Sequence, residues 1–415
     1  MKIWRPYTQM QDALPALPIE RASGSYLYAK GGRKIFDGIS SWWLITHGHC
    51  HPAIAEAVSA QAGQFEQAVF ANFSHEPAEK LVEQLQEILP EDFQAAFFSD
   101  NGSTSVEVAM KMAYQYAKQS GHGKKRRFLA FENAYHGDTC GAMSITANGV
   151  FTESYKDLRF EVLRCRQGVH LKDPLDAWIG DFSKSLEARH EEIAAVILEP
   201  LVQGAGGMIL WPIEALQKIG ELCRKHQVLL IFDEVMTGFG RTGALFAFEK
   251  AGVMPDILCL SKGLTGGFLP MALTLTTQDI YDAFLSTDPK RMLFHGHSFT
   301  GNALSCAAAC ASLEIFKNTN TLSQIRQIES SHRQAIEKLR SALPIRDTRV
   351  CGAIGAIELE SGEYGGEFSR KVFARCLEEN LFVRPLGNVL YLMPPYCSTP
   401  EEIHWAWEIL GCSAV

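Results

Sequence analysis

Six short apolar runs, QAAFFSD, RRFLAFE, AAVILEP, VLLIFDE, DILCLS and MALTLTT, recur through the middle of the chain. Each is continuous rather than alternating, the pattern of a strand covered on both faces. Stretches such as IEALQKIGELCRKH lie between them, with apolar residues at helical spacing. Buried strands separated by helices restrict the chain to an α/β domain with a mostly parallel central sheet, expected over residues 52–305. After it come CGAIGAIELE, helical EFSRKVFARCLEEN and NVLYLMPPY. A closing helix is opened by Thr399, Pro400 and Glu402, a capping box with Pro at the first helical position. Residues 306–415 are therefore expected to form a smaller α+β domain, with residues 1–51 packing against it. At 415 residues, two cores are expected rather than one.

Composition narrows the function classes. The chain is 47% hydrophobic and 21% charged, as ordinary globular proteins are. A net charge of −8 argues against nucleic acid or an anionic membrane as partner. No apolar run reaches the length of a membrane span, and MKIWRPYTQM is followed by no hydrophobic region of a secretory signal. Eleven cysteines, none in a CxxC pair and several in apolar runs (Cys259, Cys306, Cys310), indicate free thiols in a reducing compartment. A cytoplasmic address is expected.

Two residues give the chemistry. VLLIFDE ends on Asp233, and 29 positions later DILCLSKGLTGG carries Lys262. Lysines are almost never buried without a partner. A desolvated one loses its proton and becomes a nucleophile able to form an imine. Pyridoxal 5′-phosphate needs such a lysine, and an acid to keep its pyridine nitrogen protonated. The phosphate has a candidate seat in SDNGSTSVEVAMK, where Asn101-Gly102-Ser103 would present free backbone N–H groups at a helix N-terminus. Gly102 permits close approach and Ser103 adds a hydroxyl. Thr104 and Glu107 have capping-box spacing.

Other patterns carry less. Gly238-Phe239-Gly240-Arg241-Thr242-Gly243 matches GxGxxG, but it lies beyond the first tight turn after its strand, so a nicotinamide-binding fold is the runner-up only. The histidines in HGHCH (47–51) have no acidic ligand close by in sequence, and these, like those of HGH (295–297), are read as structural.

The spacing from FDEVMTGFGRTG to DILCLSKGLTGG, with NGSTSVEVAMK, AYHGDTCGAMS, ILEPLVQGAGG and HGHSFTGN, resembles the class III aminotransferases of fold type I over essentially the whole chain. That resemblance implies a pyridoxal-phosphate enzyme that works as a homodimer. Lys262 would be the Schiff-base lysine and proton shuttle, Asp233 the partner of the pyridine nitrogen, and Tyr135 the ring that stacks on the cofactor. Gly102 and Ser103 would hold the phosphate, with Ser298 and the Gly296 region reaching it from the other subunit. Ser298 stands where the family more often has Thr, and it keeps the hydroxyl. Tyr7, Trp42, Tyr135, Asp138, Arg241, Arg384 and Tyr391 would line the substrate pocket, with Tyr7 also in the catalytic set. Arg384 is the expected grip on a substrate carboxylate. Of Trp42 and Trp43, read as neighbours in a strand, Trp42 is expected in the pocket and Trp43 in the core. WRPYTQM, DGISSWW and VRPLGNVLYLMPPY imply transfer of an amino group from S-adenosylmethionine to 8-amino-7-oxononanoate, giving 7,8-diaminononanoate in biotin biosynthesis. Lysine as donor, or another ω-amino substrate, is the alternative.

Overall fold

The computed structural model describes residues 1–166, 175–360 and 362–415. All six apolar runs form strands of one seven-stranded sheet. From edge to edge its strands are Phe93–Ser99, Ala272–Thr277, Ile257–Leu260, Leu229–Asp233, Ile193–Leu198, Arg127–Phe131 and Leu163–Cys165. Ala272–Thr277 runs antiparallel to both neighbours, and the remaining pairings are parallel. Leu163–Cys165, at the edge, has three residues, too few for a recognisable run. Ile193–Leu198 is buried throughout, as continuous apolar strands require.

The flanking helices bury the faces their sequences set. Ile213–Lys225 turns Ala215, Leu216, Ile219, Leu222 and Cys223 inward. Gly102–Gln119 buries Val106, Ala109 and Ala113 against the sheet. Its cap differs from the expected one. Asn101 is the N-cap and forms a capping box with Thr104, while Glu107 lies one turn further in and serves another helix.

The C-terminal part pairs Ile345–Cys351, Ile354–Leu359 and Val389–Leu392 in an antiparallel sheet. Helices Thr321–Leu339 and Pro400–Ser413 cover a second core, where Trp407 is fully buried and donates its indole N–H to His332 Nδ1 at 2.8 Å. Thr399 and Glu402 form the expected capping box. Strands Ile19–Ser23, Tyr26–Ala29 and Lys34–Asp37 pair antiparallel in turn, and the last pairs in parallel with Leu381–Phe382. Tyr26 Oη donates to Glu402 at 2.5 Å, so the first residues and the last helix are tied. Helix Ala303–Asn318 packs on Pro52–Ala62 and Glu76–Gln86. A boundary at 305/306 would therefore cut it after its third residue.

The GxGxxG segment opens no dinucleotide-binding helix. Gly240 and Gly243 take φ of +90° and +94°, and Arg241 O accepts the Ala353 N–H at 2.9 Å, docking the loop on the C-terminal part. The eleven cysteines are all free, with Cys259 and Cys306 fully buried. His47 Nε2 lies 3.1 Å from Ser312 Oγ, and burial lowers its pKa to about 3. Among the described residues, no helix is long and apolar enough to cross a membrane.

Candidate active site

The C-terminal ends of the parallel strands open on one cavity of about 710 Å³, the position where open α/β sheets bind ligands. Asp233 ends one strand, Lys262 follows the next, and Glu199 follows a third. The loop at residues 135–139 and the turn at 101–103 complete the wall.

Lys262 begins a short 3-10 turn with φ of +44°, a left-handed conformation that costs a non-glycine residue about 1–3 kcal/mol. Its ammonium makes no hydrogen bond or ion pair among the described residues and lies 5.0 Å from the Trp43 ring centroid. Burial lowers its pKa from the ordinary lysine value. Asp233 and Glu199 oppose the shift, and Arg241 adds to it. An unpaired amine at the wall of a cavity, in surroundings that disfavour its charge, is suited to act as a nucleophile.

Asp233 is oriented rather than free. Its Oδ2 is 2.7 Å from His136 Nδ1, and its Oδ1 accepts the Val235 N–H at 3.1 Å. Glu199 takes the N–H groups of Tyr135 at 3.0 Å and Gly204 at 2.9 Å. Burial raises the Glu199 pKa to about 7. His136 opposes that shift and the charge of Asp233 adds to it.

The anion seat has the expected shape. The amides of Gly102 and Ser103 take no acceptor among the described residues and sit at the first turn of an 18-residue helix. A Cβ on Gly102 would come within 2.4 Å of Val235 Cγ1, so only glycine fits. Ser103 Oγ lies 2.8 Å from Thr139 Oγ1 and accepts the Thr139 N–H at 3.0 Å. Glu107 accepts from Thr139 Oγ1 at 2.5 Å and from the amides of Gly141 and Ala142, capping helix Cys140–Ile145. One carboxylate thus locks the helix that follows the 101–103 turn to the loop that carries Tyr135.

Against the part of the wall formed by Tyr135 and Asp138, Tyr7 Oη donates to Asp138 and lies 3.1 Å from Tyr135 Oη. Burial first, and then Asp138, push the Tyr7 phenol well above its ordinary range. Trp42 packs edge-on to Tyr7 with centroids 5.5 Å apart, and the Arg384 guanidinium lies over Trp42 at 4.9 Å. Tyr7, Trp42, Tyr135, Asp138 and Arg384 are brought together.

Trp42 and Trp43 do not lie on a strand. Ser40, Ser41, Trp42 and Trp43 take φ of +51°, +48°, +84° and +74°. Left-handed backbone costs an L-residue about 1–2 kcal/mol each, so the turn must be held by its surroundings. It puts Trp43 in the main core, as expected, and also against the Lys262 cavity, while Trp42 meets Tyr7 and Arg384 outside the cavity lining.

Two further expectations are corrected. Tyr391 is 2% exposed and stands behind Trp43, accepting its indole N–H at 3.0 Å. Arg241, 1% exposed, donates to the carbonyls of Trp43, Ile45 and Pro394, and thus braces the wall from behind. Neither lines the cavity; Tyr7, Trp42 and Arg384 also stand outside its lining, but Tyr7 touches it through Tyr135 and Asp138. Ser298 and Gly296 are exposed on a loop away from it, beside Phe294 and Phe299, which are 63% and 65% exposed.

The residues present suit pyridoxal phosphate: an unpaired amine, an oriented carboxylate and free amides at a helix N-terminus face one cavity, with a flat aromatic beside them. His136 Nε2, buried without a partner among the described residues, adds a polar atom to the same wall.

The family model "Aminotransferase class-III" matches residues 7–412. The adenosylmethionine-8-amino-7-oxononanoate aminotransferase of Synechococcus elongatus is 44% identical, covering 97% of this chain and 95% of that protein. The protein of the same name from Geobacter sulfurreducens is 39% identical, covering 97% and 93%. The crystal structure of the Methanocaldococcus jannaschii protein so named superposes with a TM-score of 0.93 at 36% identity, covering 99% of this chain and 96% of that one. A PLP-bound amine transaminase from an uncultivated Pseudomonas species gives a TM-score of 0.93 at 30% identity, covering 100% and 98%. The chain belongs to the class III aminotransferases.

Proposed function

We propose that the chain is a pyridoxal-phosphate-dependent transaminase that moves an amino group from S-adenosylmethionine to 8-amino-7-oxononanoate, giving the 7,8-diamine of biotin biosynthesis. The observation that carries this reading is the cluster of Tyr7, Trp42 and Arg384, joined through Tyr135 and Asp138 to the wall of the Lys262 cavity. Full-length relatives bearing the name of that enzyme support it. Aromatic faces suit both a sulfonium cation and an aliphatic chain, and a guanidinium suits the carboxylate at the far end.

Lys262 would hold the cofactor covalently, Asp233 would hold its ring nitrogen, and the amides of Gly102 and Ser103 its phosphate. When bound, the cofactor serves as an electron sink for the carbon that loses its proton. Lys262, whose pKa is lowered by burial, takes and returns that proton at Nζ. Asp233, fixed by His136 and Val235, would present its carboxylate to the ring nitrogen and favour that nitrogen's protonated form. Tyr135 offers a flat face, and Trp43 shields Lys262 from water.

Ser298 and Gly296 would complete the phosphate seat of a second copy, which the exposed Phe294 and Phe299 would cover. We therefore extend the proposal to a homodimer, of two-domain protomers.

The test is a half-reaction. Protein loaded with pyridoxal phosphate is mixed with adenosylmethionine and, separately, with lysine, and the cofactor absorbance is followed. Conversion by adenosylmethionine supports the reading; no change with it, beside full conversion by lysine, overturns the donor assignment.

A further inference from the structure

Nothing in the resemblance explains how four consecutive non-glycine residues are kept left-handed at the mouth of the site. The explanation lies outside the cavity, at Asp37. This residue ends strand Lys34–Asp37 and is fully buried. Its Oδ1 accepts the Ser41 N–H at 2.9 Å, and its Oδ2 accepts the Ser41 hydroxyl at 2.6 Å. The same Oδ2 lies 2.9 Å from His49 Nε2. The carboxylate thus caps the turn, satisfying two donors that a left-handed backbone turns toward it.

The exit of the turn is held separately. Arg241 donates to Trp43 O at 3.2 Å and to Ile45 O at 2.9 Å; burial lowers its pKa, against which Tyr396 and then Asp37 act. Trp42 and Trp43 lie between these anchors. With the backbone left-handed, Trp42 meets Tyr7 and Arg384 while Trp43 meets Lys262 and Tyr391. On an extended strand, adjacent indoles would face opposite sides.

We infer that Asp37 is a positioning residue for transamination: through Ser41 it holds the left-handed turn that sets both indoles, and thereby the fit of the acceptor substrate. The inference deepens the proposed function and rests on it for the identity of that substrate. Asp37→Asn keeps the shape but removes the charge and one acceptor. Expected are unchanged cofactor loading, a roughly tenfold or greater rise in KM for 8-amino-7-oxononanoate and a much smaller fall in kcat, the signature of lost binding rather than lost chemistry. The near-ultraviolet circular dichroism of the indoles should change with it. Unchanged KM and dichroism overturn the inference. So does a parallel loss of loading, kcat and melting temperature, which marks a role in folding alone.

If Asp37→Asn fails to fold, Ser41→Gly and Ser41→Ala decide. Both lose the hydroxyl, but only glycine takes a φ of +48° without strain. The alanine variant should show the larger KM and the weaker dichroism, and equal values overturn the inference. The dichroism needs no turnover. If wild-type protein fails to use the named substrates, the functional reading falls and the turn is still tested.

Discussion

Arg384 Nη2 donates to the main-chain carbonyl of Tyr7 at 2.8 Å, joining residues 377 positions apart. Its other donors take no acceptor among the described residues, so the fork remains open to a carboxylate. A charged hydrogen bond contributes about 1.5–3 kcal/mol, so Arg384→Ala should raise KM for 8-amino-7-oxononanoate on the order of 10–100-fold. The KM for the amino donor should move far less. Arg384→Lys should not restore it, because an ammonium cannot match a bidentate fork. Equal rises for both substrates would show that Arg384 acts by holding Tyr7 instead.

Tyr7 offers a second separable contribution. Its ring packs on Trp42 and on Phe151, with centroids 5.5 and 5.8 Å away, and its hydroxyl bridges Asp138 and Tyr135. Tyr7→Phe keeps the packing and deletes the bridge. The expected loss in kcat/KM is on the order of tenfold, with cofactor loading unchanged. Lost loading would place the role of the hydroxyl in assembling the cofactor seat.

If Lys262 has the proposed role, Lys262→Ala should lower turnover on the order of a thousandfold or more, since it would remove both the covalent hold and the proton carrier. The cofactor should still bind without a covalent link, through Asp233 and the free amides. Hydride reduction of the loaded wild-type protein, followed by peptide mapping, should mark Lys262; a label on another lysine refutes the assignment.

How much of this was legible in the sequence depends on whether a signal is local. The strands were, because each buries both faces and shows as one continuous apolar run. Asp233 and Lys262 were, because polar residues at the ends of such runs have no packing reason to be there. Glu199 ends the run AAVILEP in the same way, and the rule that found Asp233 would have found it. His136 was adjacent to Tyr135, yet its hydrogen bond to a residue 97 positions away is not written in either segment. Arg241 and Tyr391 were misplaced for a related reason. Arginine and tyrosine suit a pocket as well as a wall, and only the fold shows Arg241 spent on three carbonyls. The left-handed turn at Ser40–Trp43 was illegible, since no glycine announces it and Asp37 stabilises it from a strand end.

Ser298→Ala should weaken cofactor retention by about 1 kcal/mol, near fivefold in affinity, the scale of one lost hydrogen bond. Since Ser298 does not line the cavity of its own chain, the loss requires a second copy. Sedimentation at assay concentration should give a dimer. A fully active monomer sinks both parts of this prediction.

The last prediction concerns pH and the cofactor-free protein. Burial holds the Lys262 pKa below the ordinary lysine value of 10.5. Between the folded and unfolded values the unfolded chain binds more protons, so this residue makes stability rise with pH across that window. Below the folded pKa the full cost of a buried, unpaired ammonium is present. Lys262→Met removes the titration while nearly conserving volume. Cofactor-free Lys262→Met should therefore melt above cofactor-free wild type near neutral pH, by on the order of a degree or two for a chain of this size. The gap should close as pH is raised toward 10.5. Measurements begin above the Glu199 value of about 7, so that its titration does not enter the difference. A gap that stays constant with pH, or widens, would mean that the lysine is not held in an environment that disfavours its charge, and its nucleophilic role would lose its physical basis.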